Sequence, residues 1–272
     1  VLAAFEVLEA LDDAGVSTTR PVELVSWTNE EGSRFQPGAL GSRAFAEGGL
    51  RPEWLQAQDA AGTTLEEGLR DTLAALPGVA VEQPGHPIAA YLELHIEQGP
   101  VLEREGIAVG AVTGIQGTRW YEVTYRGAAA HAGTTPLAFR RDPMAAASLA
   151  LAELFTSIMP GDEDVRLTVG RIAASPGSIN AVPAEVRFSV DLRHPTMRGL
   201  SAHEARLRTV LEDAARDHGC TVTVEPMMEM APVAFPEDMV DLVEEGARLA
   251  GASHRRILSG AFHDATFIAG VA

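Results

Sequence analysis

The sequence predicts a mixed α/β fold in which an α/β domain is interrupted by an inserted α+β domain. Two observations predict this arrangement. Strand-like apolar runs alternate with helical patterns at both ends of the chain, as expected for an α/β domain. From about residue 115 the predicted elements follow the order β-α-β-β-α-β, which is that of the ferredoxin-like split unit. The predicted boundaries assign residues 1–114 and 228–272 to the first domain and residues 115–227 to the insert.

The first domain begins with helical periodicity over about residues 1–15. Residues 21–27 form a mostly apolar run, which predicts a buried strand. This strand leads into a polar turn at 28–32, and open α/β sheets bind ligands at such carboxyl ends. Residues 91–97 alternate between apolar and polar side chains, so they predict a second strand with one polar face.

The insert is predicted from strand and helix periodicities that follow one another at short intervals. Its predicted strands cover 120–125, 165–172, 185–192 and 221–225, and its predicted helices cover 142–157 and 202–218. After the insert, residues 239–249 predict a helix, and a strand-like stretch follows it up to Ser259.

Composition excludes several classes of function. The chain has 272 residues with 21 basic and 38 acidic side chains, so its net charge is −17. Every basic residue is arginine. Without lysine there is no Schiff base for pyridoxal phosphate, no phosphate-loop lysine and no kinase lysine. The acidic balance also argues against nucleic acid and anionic membranes as partners, since both require a basic surface.

Three further features predict a cytoplasmic protein. A single cysteine, Cys220, cannot form an internal disulfide, which fits a reducing compartment, and we interpret it as a small core residue. Apolar stretches are expected to fall short of the roughly 18 residues that a membrane span needs. No charged-then-apolar signal peptide begins the chain.

Candidate catalytic residues follow the two predicted strands of the first domain. Glu30 and Glu31 are adjacent carboxylates that repel each other, and a bound metal or a shared proton would offset this repulsion. Alternatively, both side chains belong to an acidic surface loop that is exposed to solvent. His95 lies between Glu93 and Glu97 on the polar face of its strand. A histidine among carboxylates is a plausible zinc ligand, but a lone histidine is often only structural.

The insert offers a second set of candidates. His131 lies among small residues that would let a ligand approach closely, or it belongs to a flexible turn. Asn180 and Arg193 end neighbouring segments, and Arg193 could bind a carboxylate through both arms of its guanidinium. Alternatively, Asp191 and Arg193 form an ordinary ion pair at the end of a strand.

Several blocks of sequence together resemble the group of allantoate amidohydrolases, N-carbamoyl-L-amino-acid amidohydrolases and β-ureidopropionases. These are dinuclear-metal amidases of the aminoacylase-like metallopeptidase superfamily. The resemblance extends over the whole chain in the order of the family, and it favours the functional interpretation of each candidate above. It is carried by residues 28–35 (TNEEGSRF), 92–100 (LELHIEQGP), 117–121 (GTRWY), 131–136 (HAGTTP) and 191–195 (DLRHP).

The resemblance implies a zinc-exopeptidase-like catalytic domain with the insert as a lid and dimerisation domain. It implies that Glu30 is the general base, and that Glu31 and His95 each bind one of two divalent metal ions, which could be zinc, manganese, cobalt or nickel. It further implies a homodimer in which the position of His131 reaches the active site of the opposite subunit. The substrate-binding positions that it implies are Gln98, His131, Asn180, Arg193, Ser259, Gly260 and His263.

The activity that the resemblance implies is hydrolysis of the carbamoyl or ureido C–N bond of a small substrate with a carboxylate, such as an N-carbamoyl amino acid or allantoate. Glu30 would deprotonate a metal-activated water and return the proton to the leaving nitrogen. One alternative is an aminoacylase or peptidase on the same scaffold. Another is an inactive fragment that only dimerises through the lid.

The sequence departs from the family pattern at three places. The family has a histidine and a bridging aspartate upstream of the block at 28–35, and a further ligand histidine beyond the block at 259–264 (SGAFHD). We therefore expect the chain to be truncated at both ends, with an incomplete catalytic domain. Within the last block Phe262 replaces the usual glycine, and it could narrow the pocket or shift His263.

Overall fold

The structure is a computed structural model that describes residues 1–272, and it is a mixed α/β fold. The α-helices are Leu2–Asp13 (α1), Leu40–Glu47 (α2), Pro52–Leu55 (α3), Leu65–Ala75 (α4), Val101–Glu105 (α5), Pro143–Ser157 (α6), Met197–Asp217 (α7), Glu237–Leu249 (α8) and Ala265–Ile268 (α9). The strands are Val109–Ile115 (β1), Gly117–Arg126 (β2), Ala130–His131 (β3), Arg166–Thr168 (β4), Ile172–Ser175 (β5), Ala181–Val182 (β6), Glu185–His194 (β7), Thr221–Met230 (β8), Val233–Ala234 (β9) and His254–Ser259 (β10).

The chain divides into two compact units. The first unit contains residues 1–98 and 262–272, and the second contains residues 99–261. The predicted insert, residues 115–227, lies wholly within the second unit, which also contains β1, α8, β9 and β10. This division does not test the predicted domain boundaries, which remain a prediction.

The largest sheet of the second unit has the strand order β4-β7-β2-β8, with β5 also paired to β7. Along the chain, the elements β2, α6, β4, β7, α7 and β8 follow the β-α-β-β-α-β order that the sequence predicts. The predicted strand at 165–172 is interrupted in the structure. Only β4 and the first residue of β5 fall within it; β4 and β5 pair with different parts of β7, and the break falls between Thr168 and Ile172.

The two faces of this sheet differ in chemistry because alternate residues of a strand point to opposite sides. Along β7, the side chains of Val186, Phe188, Val190 and Leu192 are buried in a core that includes residues of α6 and α7. His194, the last residue of β7, continues this buried series. The intervening positions carry polar side chains, and Asp191 and Arg193 are therefore neighbours on the opposite face.

Helix α6 begins at a well-defined cap and supplies part of this core. The carboxylate of Asp142 accepts hydrogen bonds from the N–H groups of Met144 and Ala145. The stretch Pro143–Gly161 has a mean hydropathy of 1.3 and is long and apolar enough for a membrane span by length and composition. The expectation that no stretch reaches this length is therefore wrong. The helix buries Ala146, Ala147, Ala150 and Leu154 in the core of this unit.

A second sheet in the same unit positions the end of β10. Strand β1 pairs in parallel with β10 and antiparallel with β9. At Gly114 a Cβ atom would lie 2.3 Å from the carbonyl oxygen of Val233, so only glycine allows strands β1 and β9 to approach each other this closely. The pairing ends at Ile115 and Ser259, which places Ser259 at the carboxyl end of a parallel strand.

The first unit lacks both strands that the sequence predicts for it. Residues 21–27 and 91–97 belong to no sheet of the structure, and a strand requires a ladder of backbone hydrogen bonds to a neighbouring strand. The apolar face of the second segment is consequently exposed, with Leu94 at 85%. The core of this unit is formed instead around α2, α3 and α4. It contains Phe35, Leu40, Ala44, Trp54 and Leu65.

Candidate active site

The loop that presents Glu30 and Glu31 is held by the side chain of the residue before them. Asn29 adopts a left-handed backbone conformation with φ of 52°. Its Nδ2 group donates hydrogen bonds to the carbonyl oxygens of Phe35 (2.8 Å) and Pro37 (3.0 Å), and its Oδ1 atom accepts one from the N–H group of Phe35 (3.1 Å). The loop is thus closed on itself, and the two glutamates occupy defined positions.

Glu30 lies among other charged groups of the first unit. Burial raises its pKa above the usual value, and the negative charges of Glu31 and Glu93 raise it further. The side chains of His95 and His263 lower the pKa of Glu30. The structure therefore brings Glu30, Glu31, His95 and His263, all four of them predicted site residues, into one electrostatic neighbourhood.

The ring of His95 is oriented so that one nitrogen stays available. Its Nδ1 atom lies 2.7 Å from the carbonyl oxygen of Ile96 and must donate its proton to that oxygen. The neutral ring then has a lone pair on Nε2. Metal-binding histidines commonly have such a hydrogen bond from the other nitrogen. His95 is exposed, and its ring centroid lies 5.3 Å from that of His263.

Glu93 connects the segment of His95 to that of His263. One oxygen of its carboxylate, Oε2, accepts a hydrogen bond from the N–H group of Ala265 (2.9 Å) and one from the hydroxyl of Tyr91 (3.2 Å). The same oxygen lies 3.6 Å from Nδ1 of His263. Burial alone would raise the pKa of Glu93, but the nearby ring of His263 and the hydrogen bond from the N–H group of Ala265 lower it overall. Glu93 therefore stays ionised and fixes the neighbouring histidine.

Asp264 is a buried acid that sequence reasoning did not single out. It forms a short hydrogen bond with the hydroxyl of Ser42 in α2. Burial raises the pKa of Asp264 to about 6. The hydrogen bond from Ser42 lowers this pKa, and the negative charges of Glu93 and Glu30 raise it further. The only sequence signal for it is its position beside His263.

The donor atoms of the first unit suit a divalent cation. Carboxylate oxygens and imidazole nitrogens are the ligands that zinc and similar metals bind. Beyond the effect of burial, the negative charges of Glu31 and Glu93 raise the pKa of Glu30, and a cation would offset that repulsion. The hydrogen bond from Nδ1 of His95 to Ile96 leaves the lone pair of Nε2 for a metal ion, which fits its predicted role.

The remaining predictions for the first unit concern exposed or terminal positions. Gln98 is exposed and has a left-handed φ of 52°. Phe262 is 41% exposed, whereas the adjacent His263 is buried. The bulky side chain of Phe262 thus leaves His263 in contact with Glu93 and His95.

In the second unit, the structure brings His131 and Asn180 together. Strands β3 and β6 pair there, and the N–H group of Ala132 donates to the carbonyl oxygen of Asn180 (2.9 Å). The Nδ1 atom of His131 accepts hydrogen bonds from the N–H groups of Gly133 (3.1 Å) and Thr134 (3.2 Å). The ring of His131 must then carry its proton on Nε2, so this exposed histidine presents a hydrogen-bond donor.

Arg193 forms the ion pair that the alternative interpretation predicted. Its Nε and Nη2 atoms donate to the carboxylate of Asp191 at 2.9 Å and 2.6 Å, and its Nη1 atom donates to the carbonyl oxygen of Gly260 at 2.8 Å. A guanidinium has five N–H groups, and these bonds occupy three of them. One N–H group on each of Nη1 and Nη2 is left for a further acceptor.

Ser259 and Gly260 are fixed beside Arg193. The side chain of Gln116 donates to the carbonyl oxygen of Gly260 (3.0 Å), and the hydroxyl of Ser259 donates to the carbonyl oxygen of Ala261 (2.8 Å). The second unit thus holds two groups of predicted residues, one around His131 and one around Arg193. Cys220 lies against the core of this unit, and burial raises the pKa of its thiol, which agrees with a structural role.

Comparisons with known proteins agree with the resemblance. The model of peptidase family M20/M25/M40 matches residues 1–272. The N-carbamoyl-L-amino acid amidohydrolase of Geobacillus stearothermophilus is 40% identical over 99% of this chain, which covers 66% of that protein. The allantoate amidohydrolase of Bacillus subtilis is 33% identical over 98% of this chain, which covers 65% of that protein. The chain thus spans slightly less than two thirds of the length of these relatives.

A solved structure shows the same similarity. The crystal structure of an amidase of the hydantoinase/carbamoylase family from Burkholderia multivorans superimposes with a TM-score of 0.92 and 40% identity. The match covers all of this chain and 65% of that one. The resemblance predicted from the blocks of sequence is therefore confirmed.

Proposed function

Because this chain belongs to peptidase family M20/M25/M40, we propose that the intact protein is a metal-dependent amidohydrolase that cleaves a carbamoyl or ureido C–N bond. The observation that carries this proposal is the cluster of Glu30, Glu31, His95 and His263 in the first unit. Relatives with similar sequences are named for hydrolysis of N-carbamoyl amino acids and allantoate. The inferred substrate is a small ureido or carbamoyl compound with a carboxylate.

In this proposal Glu31 and His95 each bind one of two divalent metal ions. When bound, a divalent cation supplies Lewis acidity, which polarises a carbonyl group and makes water easier to deprotonate. Glu30 takes a proton from the attacking water and returns it to the leaving nitrogen. Its raised pKa makes it a stronger base than an ordinary glutamate, which suits proton transfer near neutral pH.

Atoms balance over the whole reaction. Water adds to the carbamoyl carbon, one C–N bond breaks, and the leaving nitrogen accepts the proton that Glu30 took from water. The other product of this step is a carbamic acid, which loses carbon dioxide and so releases its nitrogen as well. For an N-carbamoyl amino acid the products are the free amino acid, carbon dioxide and ammonia. For a ureido substrate such as allantoate, they are ammonia, carbon dioxide and a shorter amino compound.

The predicted residues of the second unit take substrate-binding roles. The proton on Nε2 of His131 suits it to stabilise a developing oxyanion. Arg193 would bind the carboxylate of the substrate through the two N–H groups that Asp191 and Gly260 leave available. Asn180 and Ser259 would contribute further polar contacts.

We further infer the assembly and environment of the protein from the resemblance. Residues 115–227 would serve as a ferredoxin-like lid and dimerisation domain, and the sheet order β4-β7-β2-β8 supports this inference. His131 of one subunit would act in the active site of its partner. The acidic net charge of −17 supports a protein that binds neither nucleic acid nor anionic membranes. A cytoplasmic location stays a prediction.

The role of Arg193 leads to a first prediction. In the intact protein Arg193→Lys should raise KM for a carboxylate substrate by about tenfold or more, because a charge-assisted hydrogen bond contributes about 1.5–3 kcal/mol and an ammonium cannot form the same planar pair. The value of kcat should change less. Steady-state kinetics with an N-carbamoyl amino acid and with the corresponding amide, which lacks the carboxylate, would measure this effect.

The amide provides the matched control for this experiment. Its KM should be high already in the unmodified protein and nearly the same after Arg193→Lys. An unchanged KM for the carboxylate substrate would show that Arg193 serves only as the partner of Asp191.

A further inference from the structure

A second group of metal-ligating side chains lies in the second unit and shares no residue with the proposed mechanism; its member His194 follows Arg193 in β7 but belongs to the buried face of the strand. The group contains Asp162, His194 and His203, whose ligand atoms all lie within 4.8 Å of one another. Oδ2 of Asp162 lies 3.2 Å from Nε2 of His194 and 2.9 Å from Nε2 of His203. We propose that these three side chains form a site for a single zinc-like divalent cation.

Two of the three separations between the ligand atoms fit a tetrahedral metal, and the third, between the two imidazole nitrogens, is within 4.8 Å. Zinc binds imidazole nitrogen and carboxylate oxygen at about 2.0–2.2 Å, so two ligands of one tetrahedral ion lie about 3.3 Å apart. The observed separations of 2.9 Å and 3.2 Å are close to this value. Two nitrogens and one oxygen are also a common ligand set for zinc with a fourth position left for water.

Two elements and one loop hold these ligands in place. His194 ends β7 on the buried face of the sheet, and His203 lies three residues after Leu200 on the buried side of α7. Gly199 allows the ring of His194 to pack against the helix, because a Cβ atom at that position would lie 2.0 Å from the ring. The site is therefore built into the packing of β7 against α7.

The carboxylate is ready to bind a cation at neutral pH. Asp162 precedes β4, and its Oδ1 atom accepts a hydrogen bond from the N–H group of Asp164 (2.9 Å), which leaves Oδ2 directed at the two rings. The hydrogen bonds from His203 and from the N–H group of Asp164 lower the pKa of Asp162 to about 2. Its side chain is 29% exposed, so an ion can reach it from solvent.

Metal binding must move the ring proton of His194 from one nitrogen to the other. The N–H group of Thr196 donates to Nδ1 of His194 (3.0 Å), so in the metal-free protein the neutral ring carries its proton on Nε2 and donates it to Asp162. A metal on Nε2 requires that proton on Nδ1 instead. The carbonyl oxygen of Thr196, 3.2 Å from Nδ1, can then accept it. The hydrogen bond from the N–H group of Thr196 is lost in this exchange.

The test is a zinc titration of the intact protein with residue-specific detection of the histidine rings. Long-range ¹H–¹⁵N spectra report which ring nitrogen is protonated, and elemental analysis after equilibrium dialysis counts the zinc. We expect zinc to remove the Nε2 proton of both His194 and His203. We also expect His203→Asn and Asp162→Asn each to bind one zinc ion fewer per chain than the unmodified protein.

The matched control is His218→Asn, because His218 caps the other end of α7 and belongs to neither group of ligands. It should bind as much zinc as the unmodified protein. Circular dichroism identifies a variant that fails to fold. If either His203→Asn or Asp162→Asn fails to fold, the zinc content of the other variant tests the proposal. Equal zinc content in all folded variants, with both Nε2 atoms still protonated at saturating zinc, would overturn the proposal.

Discussion

Glu30→Gln should lower kcat of the intact protein by at least ~10²-fold, because this is the contribution that a positioned general base typically makes. Glutamine has nearly the same shape but cannot accept a proton from water at neutral pH. The metal content should stay unchanged, since the proposal assigns metal binding to Glu31 and His95 and not to Glu30. Steady-state kinetics and elemental analysis on the same sample measure both quantities.

The control for this variant is Glu82→Gln, an identical change at an exposed glutamate of the same unit. It should leave kcat unaltered. If Glu30→Gln kept near-normal kcat, Glu30 would not be the base. If it lost both metal and activity, Glu30 would be a metal ligand instead.

His131→Ala should lower kcat by about 10²–10³-fold, the cost of removing one hydrogen-bond donor from an oxyanion site. The reason is the protonation of its ring, because the N–H groups of Gly133 and Thr134 occupy Nδ1 and leave the proton on Nε2. A histidine without such a role, His218, provides the control through His218→Ala. Both variants should keep the far-ultraviolet circular dichroism of the parent.

The same variant tests whether His131 acts across a dimer. Inactive Glu30→Gln subunits mixed with His131→Ala subunits should regain activity, because one active site of each mixed dimer would draw an intact Glu30 and an intact His131 from different chains. Subunit exchange can be verified with differently tagged chains. Exchange without recovery would assign His131 to its own subunit or to no catalytic role.

Regular elements of the second unit could be predicted from sequence where local periodicity and capping agree. Helix α6 has Asp142 and Pro143 at its start, and β7 alternates strictly between buried and polar residues. Local periodicity could not establish whether residues 21–27 and 91–97 form strands. Their patterns describe side-chain chemistry, but a strand also needs a neighbouring segment, and none pairs with them.

Strand β1 was not predicted at all because its sequence gives little local signal. Val109–Ile115 contains glycines at 110 and 114, and glycine disfavours strands. Tertiary contacts explain both glycines. A Cβ atom at Gly110 would lie 2.7 Å from the side chain of Ile257, and one at Gly114 would lie 2.3 Å from the backbone of Val233. Such close approaches are visible only in the folded chain.

The candidate site could be predicted only in part for a similar reason. Glu30, Glu31 and His95 were identified by residue type and resemblance, and the structure places them in one unit near His263. The partners that orient them could not be found by spacing, because Glu93 and Ala265 are 172 residues apart. The group of Asp162, His194 and His203 likewise joins residues up to 41 positions apart in the sequence.

The central claim is that the intact protein hydrolyses carbamoyl or ureido bonds rather than simple amides. The most direct test is kcat/KM for N-carbamoyl-L-amino acids, N-carbamoyl-β-alanine and allantoate, compared with N-acetyl-L-amino acids and dipeptides under the same metal loading. Ammonia release measures the first group and free amino acid measures the second. The account predicts that at least one carbamoyl or ureido substrate is preferred by about 10²-fold or more, and that Glu30→Gln abolishes its turnover. Efficient hydrolysis of N-acetyl amino acids or dipeptides, with none of carbamoyl and ureido substrates, would contradict it.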